Sequence, residues 1–342
     1  MLGAVLAHST VWPAAVSDLR VAQLPLDSLP NSCNKYESLD ELLDDRRVDV
    51  VYIATPTPCH FDDVRRVLAS GRSAIVEKPF TSDLESATEL AEIALRSELI
   101  VIVGHSRSFE PDIRAAADIV RSGRIGTVEC IAAAHYSSWL RRPRLPDELD
   151  AALGGGIINR QAVHQIDAIR TLLGGDKLRV TATHHRPDRD RDMIGSYIAW
   201  LESDTGASVS VLMDGVGTLV PGASDTRPRP AGDASSRKRE MSDAILAGAI
   251  SGDRLTVRSG DREEFVVLGT LGEISIASGV LTVSDDSGTR SVDLSGMVDG
   301  RYAVLDELVA CRAGDATLPR HDAAWGLENM MTCAALAQQN QT

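Results

Sequence analysis

Between residues 48 and 105 the chain carries three compact apolar runs, each stopped by proline or glycine, with helical spacing between them. Val48-Asp49-Val50-Val51-Tyr52-Ile53-Ala54 runs into Thr55-Pro56-Thr57-Pro58, Ala74-Ile75-Val76 into Glu77-Lys78-Pro79, and Leu99 to Val103 into Gly104-His105. Such runs are too short for helices and apolar on both faces, which is the signature of strands buried in a parallel sheet. His60 to Ser70 places Val64, Val67 and Leu68 at helical spacing and ends at Gly71. Ser82 to Ser97 does the same with Leu84, Ala87, Leu90, Ala91 and Ala94. Strand–helix–strand–helix–strand requires right-handed crossovers and predicts a Rossmann-like α/β domain. A short helix over Leu39–Leu43 precedes it, with Ser38 placed to cap it and Asp40 and Glu41 in its first turn.

Beyond residue 107 the texture changes. Asp112–Ser122 reads as a helix, Thr127–His135 as a strand and Trp139–Asp150 as an arginine-rich loop. Gly154-Gly155-Gly156 precedes a helix from Ile158 to Leu173. Period-two alternation follows at Leu178–His184, Ser196–Glu202, Ala207–Met213, Glu264–Leu268, Glu273–Ala277, Val280–Ser284 and Arg290–Leu294, with short turns that predict an open, mainly antiparallel sheet. Pro221–Arg239, rich in Gly, Pro, Asp, Ser and Arg, reads as a loop, and helices close the chain near Tyr302–Ala313 and Ala323–Gln339. The predicted organisation is a first domain over 1–107 and an α+β domain over 108–342. The last helix, apolar at Leu327, Met330, Met331, Ala334 and Leu336, is expected to pack back on the first domain. One face of the second sheet can pack on the chain's own helices. The other meets solvent or a partner, so a homo-oligomer is expected.

The chain has 35 Lys and Arg against 49 Asp and Glu, a net charge of −14. That balance disfavours nucleic acid and anionic membrane surfaces as partners. Five cysteines without a CxxC pair fit free thiols in a reducing compartment and no structural metal site. Met1–Ala7 lacks a basic stretch before its apolar residues, so it reads as part of the fold and the chain as cytoplasmic.

Ligands of open α/β sheets bind at the carboxyl ends of the strands. Lys78 stands at such an end, where it either meets a substrate or forms a surface pair with Glu77. On the later helix Arg160, His164 and Asp167 stand four and three residues apart, so they share a face, catalytic or merely polar.

The run Val51-Tyr52-Ile53-Ala54-Thr55-Pro56, His60, Gly71, Glu77-Lys78-Pro79, Gly104-His105-Ser106, Phe109-Glu110-Pro111 and Gly154-Gly155-Gly156 with Val163-His164-Gln165-Ile166-Asp167 resembles the Gfo/Idh/MocA family of oxidoreductases. Trp139-Leu140-Arg141-Arg142-Pro143-Arg144, Pro146–Asp150 and Asp322–Leu327 are similar to its phthalate dihydrodiol dehydrogenase branch. The resemblance implies NAD(P)-dependent hydride transfer to or from a small hydroxylated, carboxylated substrate of sugar, cyclitol or cis-dihydrodiol type. It implies catalytic roles for Lys78, His164 and Arg160, cofactor contacts at Thr55, Pro56, His60, Glu77 and Lys78, and substrate contacts at Arg141, Arg142 and Asp167.

Two departures stand out. Arg160 occupies a position where many family members carry Asp; it either lowers the lysine pKa or grips a substrate carboxylate, unless it makes a structural ion pair. No GxGxxG occurs near the start, and Met1–His8 looks like the helix that follows such a loop. Either Met1 is an internal methionine or ordinary cofactor binding is lost, which leaves a non-catalytic or non-redox partner subunit as the alternative reading. Asp27 is the nearest candidate for the acid that grips the adenosine ribose.

Overall fold

A computed structural model describes residues 1–24, 26–97, 99–216, 262–277, 279–315 and 320–338. The Pro221–Arg239 loop lies outside them. The described residues form two compact units, one of 1–104 with 301–326 and one of 105–216 with 262–300 and 327–338.

The first unit opens with α1 (Leu2–Ala7), followed by β1 (Ala15–Ser17), β2 (Asn34–Tyr36), α2 (Leu39–Asp44), β3 (Val50–Ile53), α3 (His60–Ala69), β4 (Ser73–Val76), α4 (Leu84–Ser97) and β5 (Val101–Val103). As expected, Ser38 caps α2, its side chain accepting from the Glu41 N–H at 3.3 Å. Strands β3, β4 and β5 pair in parallel in that order. Ala74, Ile75 and Val76 are buried, as are Val64, Val67 and Leu68 of α3 and Ala87 and Leu90 of α4. The two helices that connect the strands thus bury their apolar stripes in the unit's core.

Strands β1 and β2 form a separate parallel ribbon. A dinucleotide-binding sheet has the order 3-2-1-4-5-6. The ribbon β2-β1 and the sheet β3-β4-β5 match its outer pair and its last three strands. Among the described residues no strand pairs with both.

The second unit contains α5 (Pro111–Arg121), β6 (Val128–Tyr136), α6 (Pro146–Leu149), a π-helical turn (Ile158–Ala162) leading into α7 (Val163–Leu172), and strands β7 (Leu178–Pro187), β8 (Ile194–Ser203), β9 (Ser208–Asp214), β10 (Arg262–Gly269), β11 (Gly272–Ala277), β12 (Val280–Asp285) and β13 (Gly288–Ser291). The eight strands run β13-β12-β11-β10-β6-β9-β8-β7, antiparallel except for the β6–β9 pair. One face is the core, with Ile131, Tyr197, Val211, Met213, Phe265 and Val283 each at or below 2% exposure. The last strand is shorter and earlier than its sequence pattern suggested, because Asp285–Gly288 forms the turn that returns the chain.

Helix α8 (Gly300–Ala313) belongs mostly to the first unit, where the His8 ring stacks on Tyr302 at 4.6 Å between ring centroids. Helix α9 (Ala323–Ala337) serves both units in turn. Its first turn lies against the first unit: a Cβ on Gly326 would stand 2.6 Å from Val103 Cγ2, and the His321 carbonyl accepts from the Val103 N–H. Its later residues Cys333 and Leu336 are part of the second unit's core.

Within the second unit, Arg107 is held on three sides. Its Nη1 and Nη2 donate to the Asp112 carboxylate at 2.6 and 2.9 Å, and its Nε donates to Glu263 at 2.5 Å. It thereby ties the start of α5 to β10. All three side chains are mostly shielded, so removing the guanidinium strands two carboxylates. Arg107→Met is expected to destabilise the protein by about 3–5 kcal/mol at neutral pH. Urea unfolding of the parent and the variant at pH 7 will show the loss.

Candidate functional site

At the carboxyl ends of β3 and β4 the chain leaves the core abruptly. Ile53 is buried, whereas Ala54, Thr55 and Pro56 are exposed, and Glu77 and Lys78 are half-buried. The Glu77 N–H donates to the Ile53 carbonyl at 3.0 Å and the Gly104 N–H to the Val76 carbonyl at 2.7 Å, so the three strand ends sit in line. The side chains around this rim are fastened to one another. The Thr55 hydroxyl donates to Asp63 at 2.7 Å, and the Tyr52 hydroxyl donates to Glu77. Burial, reinforced by the Glu77 charge, pushes the Tyr52 phenol well above its ordinary pKa. That phenol stays protonated and acts as a donor.

His60 is not an open ligand-facing side chain, contrary to the expectation of a cofactor contact. It is 1% exposed. Its Nδ1 lies 2.9 Å from the Pro79 carbonyl and its Nε2 lies 2.9 Å from the Thr55 carbonyl. Burial lowers its pKa, against the opposing pull of the Pro79 and Thr55 carbonyls. The ring joins the turn after β3 to the turn after β4, and Lys78 stands on the second of these, before a cis peptide to Pro79.

In the second unit the triple glycine has a steric explanation. Gly154 and Gly156 have φ of 76° and 83°, the left-handed region that glycine enters without cost. A Cβ on Gly155 would stand 2.5 and 2.6 Å from the Asp147 and Asp150 carbonyls. The chain therefore passes directly beneath α6 before it enters the π turn and α7. That π turn revises the expected spacing: i→i+5 winding over Ile158–Ala162 means that Arg160 and His164 are not separated by one regular α-turn. His164 is half-buried at the start of α7. Arg160 faces Asp147 at 3.9 Å, an ion pair that the plainer reading of this residue anticipated.

Asp167 is a packing residue and not an open substrate contact. It is fully buried, and its Oδ1 accepts from Asn329 Nδ2 at 3.1 Å. The Asn329 Oδ1 in turn accepts from Arg170 Nη1 at 2.8 Å. The network crosses from α7 to α9, and no pattern in the sequence links residues so far apart.

The expected arginine loop is partly helical, with a 3-10 turn at Trp139–Arg141 and α6. Arg141 is neutralised by Asp188 at 3.1 Å and Asp190 at 2.8 Å. Burial alone would raise the pKa of Asp188, but Arg191 and Arg141 outweigh it and hold the carboxyl below its ordinary value. Arg144 lies over the Trp139 ring, 4.5 Å from its centroid. Arg142 is half-buried, with Nη2 donating to Ser138 Oγ at 3.3 Å.

Two acids of the first unit bear on the expected ribose contact. Asp27 is exposed and follows the 3-10 turn Val21–Gln23 in the chain. Asp18 follows β1 directly, its N–H donating to the Tyr36 carbonyl and its Oδ1 accepting from the Arg20 N–H at 2.8 Å. The short run Ala14–Ser17 after Pro13 is the sequence signal for β1.

Residues 18–105 match the family model described as an oxidoreductase family with an NAD-binding Rossmann fold, and residues 113–218 match the C-terminal domain model of the same family. The chain is 37% identical over 177 residues to a 1-carboxy-3-chloro-3,4-dihydroxycyclohexa-1,5-diene dehydrogenase of Comamonas testosteroni, covering 52% of this chain and 45% of that protein. It is 32% identical over 136 residues to an inositol 2-dehydrogenase of Rhizobium meliloti, covering 40% of each. These alignments span less than half the length of either relative. A solved dehydrogenase-like protein of Bordetella bronchiseptica superposes with a TM-score of 0.81 at 25% identity, over 98% of this chain and 92% of that one. With both family domains matched in order, the chain belongs to the Gfo/Idh/MocA oxidoreductase family.

Proposed function

We propose that the protein is an NAD(P)-dependent dehydrogenase acting on a small, hydroxylated, carboxylated ring. The observation that carries this reading is Lys78, half-buried at the carboxyl end of a parallel strand in a family of oxidoreductases. The carboxylated dihydroxy ring named for the Comamonas testosteroni relative supports the substrate class. The exposed turn Ala54–Pro56 above a buried strand fits the nicotinamide end of a dinucleotide. A glycine-loop cradle for the pyrophosphate is not among the described residues. When bound, the nicotinamide supplies hydride transfer at its ring.

The chain's own residues handle the proton. Oxidising a carbinol requires a group that takes the hydroxyl proton as the carbon loses hydride. Lys78 Nζ is proposed to take that proton, and His164 is proposed as a further acid–base residue. Thr55, Pro56 and Glu77 form the rim, with Glu77 held in place by Tyr52. Arg142 is proposed to meet the substrate carboxylate, and Arg160, paired with Asp147, to shape the charge near His164. Asp18, at the end of its strand, is placed to accept from the adenosine ribose hydroxyl, which favours NAD over NADP.

Lys78→Met and His164→Asn are each expected to lower turnover by about 100- to 10,000-fold. The thermal midpoint should stay near that of the parent, since neither side chain is fully buried. Initial rates of NAD reduction with carboxylated cis-dihydrodiols and with cyclitols check this. A Lys78→Met protein that turns over at the parent rate refutes it.

The outer face of the large sheet supports a second proposal, a homo-oligomer joined through that face. Trp200 is 50% and Ile198 39% exposed. In register, Ile198 lies opposite Leu212 and Leu212 opposite Ala134, while Trp200 lies opposite Ser210 and Ser210 opposite Ala132, so an apolar band crosses three strands. Light scattering should give a multiple of the 36.6 kDa chain mass. Trp200→Glu should return the particle to a single chain. A parent protein that is monomeric at micromolar concentration excludes the proposal.

A further inference from the structure

We propose that His60 is the positioning residue for Lys78, acting through one hydrogen bond from its Nδ1–H to the Pro79 carbonyl. The proposal rests on the assignment of Lys78 as the proton-handling group. The geometry sets the problem clearly. One buried ring stands between two backbone carbonyls, Pro79 at 2.9 Å from Nδ1 and Thr55 at 2.9 Å from Nε2. A carbonyl only accepts, and a neutral imidazole has one N–H, so the tautomer decides which turn receives it. The Pro79 carbonyl is one residue beyond Lys78. The ring comes from the first residue of α3, which is anchored by the buried side chains of Val64, Val67 and Leu68. Helix α3 thereby fixes the turn that carries the lysine.

The other supports of this rim act on different points. Tyr52 holds the Glu77 side chain, and the Glu77 N–H is bonded to Ile53 at the strand end. These fix the residue before Lys78, and the His60 bond fixes the residue after it. With both ends fixed, the lysine backbone has little freedom and its amine approaches the reacting oxygen from one direction. Misplacement by about 1 Å can cost about 100-fold in rate.

The two ring nitrogens can be tested separately, because an Asn amide nitrogen mimics Nδ1 and a Gln amide nitrogen mimics Nε2. His60→Asn retains a donor toward Pro79. His60→Gln retains one toward Thr55, and His60→Phe retains neither. Three measurements are made on the full chain: the pH-dependent rate at which a lysine reagent modifies Lys78, read by peptide mass spectrometry; amide exchange over residues 77–82; and kcat and KM for NAD.

His60→Phe and His60→Gln should change Lys78 labelling by about fivefold or more and speed exchange over 77–82. They should lower kcat by about 10- to 100-fold, with KM for NAD within about threefold of the parent. His60→Asn should stay close to the parent in all three. The proposal is overturned if folded His60→Phe labels Lys78 and exchanges like the parent, or if His60→Asn is no better than His60→Phe. If His60→Phe does not fold, the Asn–Gln comparison decides alone. A parent protein with no NAD turnover defeats the dehydrogenase reading, while the labelling and exchange results still report on the His60 bond.

Discussion

The parallel strand ends of the first unit work as a platform because their turns are tied to one another by backbone carbonyls. Strand ends are the place where an α/β sheet stops satisfying its own hydrogen bonds, so the turns above them would otherwise move independently. Here each has a dedicated partner: His60 reaches the Thr55 and Pro79 carbonyls, the Glu77 N–H reaches Ile53, and the Gly104 N–H reaches Val76. The close approach of β5 to β4 also needs Gly104, since a Cβ there would stand 3.2 Å from the Val76 carbonyl. Lys78 stands on one of the turns that this lattice ties down.

The elements of this platform were legible because periodicity and punctuation agree there. Val50–Ile53, Ser73–Val76 and Val101–Val103 are short apolar runs closed by Pro or Gly, and the helices between them carry their apolar residues at regular spacing. The antiparallel sheet was legible for a similar reason, the alternation in the middle of each long strand running without Gly or Pro. What could not be read was side-chain commitment. His60, Asp167 and Arg141 sit in motifs that point toward a ligand, yet each is engaged by a neighbour remote in sequence: Pro79, Asn329 and Asp188. A one-dimensional pattern records that a polar residue is present and not whether its capacity is already used.

The same limit applies at two further places. In the sequence Asp27 follows the apolar stretch Leu19–Leu26, whereas in the structure it is the shorter run ending at Ser17 that pairs with Asn34–Tyr36. The longer stretch instead contributes Val21 and Leu26 to the core from a 3-10 turn and loop. The spacing of Arg160 and His164 reads as one helical turn, since nothing in Ile158–Ala162 announces π winding. That winding arises at the junction where the glycine passage beneath α6 must be joined to the regular helix α7.

Both proposed proton-handling residues are therefore seated by main-chain geometry. Lys78 stands between two hydrogen-bonded backbone groups, and His164 stands at the head of a helix whose entry is set by three glycines. Two of those glycines adopt a left-handed backbone, and the third lies where a methyl group would collide with carbonyls of Asp147 and Asp150. Such constraints are rigid without requiring a large core around the residues that they place. They leave both side chains half-buried. A lysine held by its neighbours' backbone can lose and regain a proton without its turn rearranging, and the same holds for a histidine at a fixed helix entry. This separation of position from titration is what acid–base chemistry asks of a scaffold.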